Sequence, residues 1–397
     1  MLQDLSIYIH YPFCKSKCPY CDFNSHIKKQ IDEEKFALAY EKELEYFSSK
    51  LKNRKIKTIF FGGGTPSLMP VNLVERILNK ISDIYQIDKN IEISLEANPT
   101  SFESQKFKDF KKVGINRLSI GVQALNDSDL KFLGREHSAS EAINTIKTAS
   151  KIFDNYSFDL IYARPNQKLN DWQKELEQAI KLSPNHLSLY QLTIEKGTPF
   201  YSQHKNKEFK IPKENLAADF YELTNELTAK NTLDLYEISN YAKKGNECQH
   251  NLVYWQSKDY LGIGAGAHSR VYFDDSKNRS QIVNYHDPKK WCEEIIKNQN
   301  AIQQLKETSQ DELLEEVILM GLRLEKGIDN KIFQQHFAKN YQELFDIEKL
   351  RNLVNLGLLA LSKNNIKITN KGRILTNSVI EKIFLSFQDQ LFLNQSR

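Results

Sequence analysis

The sequence predicts an α/β protein: a partial (β/α)6-type barrel with a C-terminal α+β winged-helix-like cap. Two observations carry that expectation. Short β-branched and aromatic runs recur at 6–10, 57–61, 91–96, 116–121, 157–162, 186–192 and 233–238. Several are nearly continuous apolar stretches, as strands covered on both faces tend to be. Between them apolar residues return at three- and four-residue spacing, as in Phe36, Tyr40, Leu44 and Phe47, or in Leu73, Ile77 and Ile81. That is the stripe of an amphipathic helix. Repeated strand-then-helix units predict a parallel sheet with right-handed crossovers, and six or more of them favour a barrel over an open sheet.

The barrel pattern occupies 1–245. Residues 246–305 read as an irregular connecting segment that contains HNLVYW (250–255) and the glycine-rich LGIGAGAHS (261–269). The cap takes 306–397. Leu313, Val317 and Met320 make one helical stripe there, and Leu350, Val354 and Leu358 a second. A hairpin over 358–369 turns at Asn364-Asn365, and a last helix begins near Asn370. Modules of this kind bind DNA in some proteins and only pack in others.

Charge does not favour nucleic acid. The chain has 55 Lys and Arg against 51 Asp and Glu, a formal net charge of +4, with neither a basic stripe nor a polybasic tail. Apolar runs fall short of the ~18 residues of a membrane span. MLQDLSIYIH lacks a basic segment followed by an apolar one, so the expected location is cytoplasmic. Of five cysteines, three crowd into CKSKCPYC (14–21), leaving Cys248 and Cys292. An odd, clustered set argues for reduced thiols rather than a disulfide framework.

Cys14, Cys18 and Cys21 follow the spacing Cys-x3-Cys-x2-Cys. Thiolates suit zinc or iron–sulfur clusters. Zinc would need a fourth ligand, with His10 and His26 the nearest candidates. A [4Fe–4S] cluster held by three thiolates keeps one iron open for a substrate or cofactor. Free thiols are the third reading. FFGGGTPS (60–67) lies between a strand and a helix, where glycines let backbone approach a ligand and turn amides towards an anion. Glu96, Gln123 and Asp159 stand at or near successive strand ends, and Arg135 follows Gln123 by twelve residues. In barrels the carboxyl ends of the strands carry the site.

Together these residues resemble the radical S-adenosylmethionine (SAM) superfamily, and over most of the chain its coproporphyrinogen oxidase-like branch. The resemblance implies a [4Fe–4S] cluster on Cys14, Cys18 and Cys21, with SAM on the open iron. It implies SAM contacts from Tyr8, Tyr20, Gly63, Gly64, Thr65, Glu96, Gln123, Arg135 and Asp159. GLRLEKGID (321–329) and NKGRILTNSVI (370–380) are similar to the cap of that branch.

Two functions occur within it: oxygen-independent coproporphyrinogen III oxidation, and haem carriage to an acceptor protein. The oxidases tend to have a further cysteine two positions after the third; here Asp22-Phe23 stands there. LSLYQLTIEKGTPFY (187–201) and HNLVYW are similar to the haem chaperones. That likeness implies His250 as a haem contact, with Tyr254 and Trp255 able to cover a porphyrin face. The competing reading of His250 is packing between barrel and cap. His268 and Cys248 are further candidates. Ala163-Arg164-Pro165 replaces the branch's Gly-Leu-Pro, and Arg164 is open as a propionate partner or as a solvated charge. The expected cofactors are the cluster, SAM and haem. The expected partner is a haem acceptor of unspecified identity, membrane-associated proteins included.

Overall fold

The computed structural model describes residues 3–27, 31–182 and 185–387. β1 (Gln3–Tyr11) leads into a loop whose ends are joined by a short parallel ladder of β2 (Phe13–Cys14) with β3 (His26–Ile27). Five strands follow, each preceded by helix: β4 (Arg54–Gly63), β5 (Gln86–Ala97), β6 (Arg117–Gln123), β7 (Asn155–Tyr162) and β8 (His186–Gln191). They lie parallel in the order β1-β4-β5-β6-β7-β8. This is the six-unit barrel the sequence pattern predicts. The expected strand at 233–238 is instead the two-residue β9 (Asp234–Leu235), antiparallel to β10 (Asn240–Ala242), which pairs antiparallel with β8.

Residues 246–305 correct the expectation of irregularity. They carry a helix, Gln249–Trp255, then β11 (Tyr260–Ile263), β12 (His268–Tyr272), β13 (Arg279–Asn284), a helix Pro288–Asn298 and β14 (Ile302–Glu307). β11 adds parallel to β1, and β12 to β14 continue as an antiparallel meander. Among the described residues the sheet has 12 strands and runs from β14 to β9 without pairing its ends, so the barrel is partial. β14 reads IQQLKE and is largely exposed, so it lacks the apolar run that marks a buried strand.

Phe36, Tyr40, Leu44 and Phe47 bury one face of the helix Glu33–Ser48, and Leu73, Ile77 and Ile81 one face of Val71–Ile84. The helices thus cover the sheet with the stripes read from spacing. The cap holds a core of its own, built on Leu313, Val317, Phe333, Leu350 and Ile366. Its wing is β15 (Ile328–Asp329), β16 (Leu359–Leu361) and β17 (Asn365–Ile368), in the order β15-β17-β16. One stripe is corrected: Leu353 packs inward beside Leu350, whereas Val354 is 37% exposed, because the inner face steps by three residues there. Arg279 to Glu316 (3.1 Å) and the Tyr272 hydroxyl to His336 Nδ1 (3.0 Å) join cap to barrel. Among the described residues no helix is long and apolar enough to cross a membrane.

Candidate cofactor site

The thiol loop is held from three sides. From below, the glycine turn docks on it: the Gly64 amide donates to the Tyr11 carbonyl (2.7 Å) and that of Thr65 to Phe13 (2.9 Å). Gly63 sits at φ +113°, and a Cβ there would strike the His10 ring at 2.6 Å, so only glycine fits. From one flank, Asn24 Nδ2 donates to the carbonyls of Ala265 and His286, both at 3.0 Å, and its Oδ1 meets His26 Nε2 at 3.1 Å. His10 joins Tyr8 through Nδ1 (3.0 Å) and the Asn24 carbonyl through Nε2 (2.9 Å). From the other flank, Arg135 donates to the Cys18 thiol at 3.4 Å, while Thr65 Oγ1 donates to Cys14 at 3.4 Å.

The three cysteines are free, partly exposed, and line one cavity of about 1080 Å³. Burial raises the Cys14 and Cys21 thiols above their usual range. A metal that binds them as thiolates must therefore displace protons. Among the described residues no three His, Cys, Asp or Glu side chains converge on the point a single metal ion would occupy.

Tyr20, Gly63, Gly64, Thr65, Glu96, Gln123, Arg135 and Asp159 line the same cavity as the thiols. The strand ends explain the convergence. β6 loses its regular register with β7 between Ile120 and Gln123, and Gln123 takes φ +73°, a strained value that re-aims its side chain. Glu96 accepts from the Gly63 amide at 3.2 Å; burial first, then the nearby Asp159, push its carboxyl up to about 8. Burial raises Asp159 to about 6 against the pull of Ser188, Arg117 and Ser119. Two half-buried carboxyls share one pocket, and each resists carrying a charge beside the other.

Sequence reasoning missed several residues. Asn98 bridges Arg135 (2.6 Å) and Thr65 (3.2 Å), and its place after Glu96 at a strand end was the available signal. Tyr190 and Leu192, from the end of β8, line the cavity, as do Arg373, Ile374 and Leu375 from the cap. No spacing pattern ties residue 375 to residue 14.

Tyr8 and His250 are not among the lining residues. The Tyr8 ring lies inside the barrel against Phe60, its hydroxyl on His10. His250 is 1% exposed, with Nδ1 on the Thr58 hydroxyl (2.7 Å) and Nε2 on the Tyr254 hydroxyl (2.9 Å). Burial, then Arg117, lowers it to about 3, so the ring is neutral. Ligation of haem iron would require it to give up one of these bonds. Cys248 is buried and donates to Glu92 (3.5 Å), while His268 is exposed on β12 and outside the cavity lining. Arg164 corrects both expectations placed on it. It is 1% exposed, paired with Asp129 at 2.9 Å and with both oxygens of Glu175, because a buried guanidinium needs carboxylate partners.

The sequence matches the Radical SAM superfamily over residues 8–179 and the HemN C-terminal domain over 308–375. A protein of Buchnera aphidicola named heme chaperone HemW is 36% identical over 395 residues, covering 97% of this chain and 99% of its own. The heme chaperone HemW of Bacillus subtilis is 32% identical, covering 94% and 97%. A mitochondrial radical S-adenosyl methionine domain-containing protein 1 of Bos taurus is 32% identical, covering 98% and 89%. Coproporphyrinogen III oxidase (HemN) from Escherichia coli superposes with a TM-score of 0.80 at 22% identity, covering 96% of this chain and 90% of that one, which speaks for the fold. With both domain matches in place and these relatives aligned along nearly all of it, the chain belongs to the radical SAM superfamily, in the family of HemW.

Proposed function

We propose that the protein is a haem chaperone that carries a [4Fe–4S] cluster on Cys14, Cys18 and Cys21, takes SAM at the open iron, and passes haem to an acceptor protein in the cytoplasm. The donor set fits the cluster: three thiols on one loop face one cavity, and Phe23, 59% exposed, stands where a further cysteine would favour the oxidase reading. When bound, the cluster supplies an iron with a free position for the SAM amino and carboxylate groups. Around that position Gly63, Gly64, Thr65 and Gln123 shape the wall. Glu96 and Asp159 offer acceptors for hydroxyl or ammonium groups, and Tyr20 and Arg135 brace the loop.

The outer wall of the cavity carries the haem reading. Phe23, Tyr190, Ile374 and Leu375 line it while 59%, 39%, 46% and 47% exposed. These side chains suit a porphyrin face, and Arg373 beside them, held by the Glu325 carbonyl at 3.3 Å and its carboxylate at 3.6 Å, would have to share those bonds to take a propionate. The relatives named heme chaperone support the same reading. Haem titration followed by Soret absorption tests it. Leu375→Glu is expected to weaken haem binding at least tenfold, about 1.4 kcal/mol, without loss of cluster iron. Affinity unchanged in both Leu375→Glu and Ile374→Glu would remove the wall from the haem site. In this reading a haem bond from His250 requires release from Thr58 or Tyr254, and an unaltered Soret band in His250→Ala would leave the motif an architectural role alone.

A further inference from the structure

The HNLVYW helix and the cofactor cavity are joined through the barrel interior by a buried arginine. Arg117, on β6, is 2% exposed. Its Nη2 donates to Ser157 Oγ at 3.0 Å; Ser157 and Ser119 share a hydrogen bond at 3.2 Å; Ser119 Oγ donates to Asp159 at 3.4 Å. Asp159 lines the cavity. On its other side Arg117 Nε stands 4.0 Å from Glu92 Oε2 and, among the described residues, has no hydrogen-bond acceptor.

Glu92 is occupied by the helix. Its oxygens accept the amides of Gln249 and His250, both at 3.1 Å, and the Cys248 thiol. The His250 ring fixes the same helix to Thr58 on β4. Glu92 is thus held as a counter-charge that stabilises the buried guanidinium without a direct hydrogen bond to it. Among the described residues, Arg117 makes its one side-chain hydrogen bond on the cavity side, to Ser157.

We propose that Arg117 is a positioning residue through which the HNLVYW helix sets the charge and orientation of Asp159 at the floor of the SAM cavity. The groups facing Asp159 are Glu96 from β5, Arg117 and Ser119 from β6, Ser188 and Tyr190 from β8, and Arg135. Arg117 and Arg135 are the cations among them, and Arg135 is already committed to Asn98, Gly121 and Cys18. Glu96 already keeps its proton up to about 8, so Arg117 bears chiefly on Asp159; without it Asp159 would hold its proton to higher pH and stop acting as a charged acceptor.

The inference rests on SAM occupying this cavity, and calorimetric SAM binding to the cluster-reconstituted protein between pH 5 and 8 separates the two claims. Wild type is expected to lose affinity as Asp159 takes a proton towards the acid end. Arg117→Gln should move that midpoint upward by roughly one pH unit, and Arg117→Lys should restore most of it. Glu92→Gln, which removes the opposing charge, should move it downward, and it decides the matter if Arg117→Gln does not fold. Affinity reduced equally at every pH, with the midpoint unmoved in these variants, would make Arg117 merely structural and overturn the inference. Wild type that binds no SAM would instead sink the cavity assignment itself.

Discussion

Arg135 and Cys18 are in contact: one guanidinium nitrogen donates to the thiol at 3.4 Å while the other holds Asn98 at 2.6 Å. An arginine twelve residues beyond a strand end thereby spans from the cysteine loop to the strand-end residues of β5. Its planar fork makes both bonds at once, which a lysine cannot reproduce.

Arg135→Lys should therefore keep the charge and lose the bracing. Hydrogen bonds to charged groups contribute about 1.5–3 kcal/mol, so SAM affinity should fall roughly tenfold or more. Cluster iron should also leave faster under chelator challenge. Wild-type affinity and iron retention would show the bracing to be irrelevant.

Asn24 closes the loop on its far side, against carbonyls more than 240 positions away in the chain. Asn24→Ala leaves those carbonyls and His26 without their partner, at a cost of about 1–3 kcal/mol. Thermal unfolding should register the loss, and alkylation of Cys14, Cys18 and Cys21 in the metal-free protein should accelerate. If both measurements match wild type, Asn24 does not anchor the loop.

Glu43 is fully buried and accepts from the Gly264 amide (2.9 Å), Asn284 (2.7 Å) and the Trp291 indole (3.1 Å). It ties the first barrel helix to three points of the 246–305 segment that the sequence pattern marks as irregular. Glu43→Ala strands three buried donors, and a loss of about 3 kcal/mol or more is expected in denaturant unfolding. A loss under about 1 kcal/mol, the level of a surface change, would refute this role.

Glu96 makes the ligand-free protein sensitive to pH. Its folded-state carboxyl is raised to about 8 from an ordinary 4.5, so the folded state binds the proton more tightly than the unfolded one. The stability it contributes is fully present below about pH 4.5 and is lost as pH rises through about 8. Glu96→Gln should flatten the stability profile across that window. An undiminished slope would assign the effect elsewhere, with Glu43, also raised to about 8 by burial, the first group to examine.

Legibility in the sequence followed the physics of each element. The six parallel strands are largely covered on both faces, so their apolar runs stand out; β12 to β14 form an antiparallel meander whose sequences HSRVY, RSQIVN and IQQLKE mix polar with apolar residues, so they do not. Eight of the ten expected cofactor contacts share the cavity with the three thiols because strand ends are ordered by the barrel itself. The two exceptions, Tyr8 and His250, pack inside the barrel, a placement that depends on partners at Phe60, Thr58 and Tyr254. Arg164 likewise depends on Glu175 and Asp129. A sequence states which side chain is present, but not which distant one will neutralise it.

Anaerobic reconstitution with iron, sulfide and SAM, followed by coproporphyrinogen III and haem offered to the same sample, tests the haem-carrier reading most directly. Stoichiometric haem binding with coproporphyrinogen III left intact is the outcome a haem chaperone predicts. Conversion of coproporphyrinogen III to protoporphyrinogen IX would contradict it and make the protein an oxidase despite Phe23.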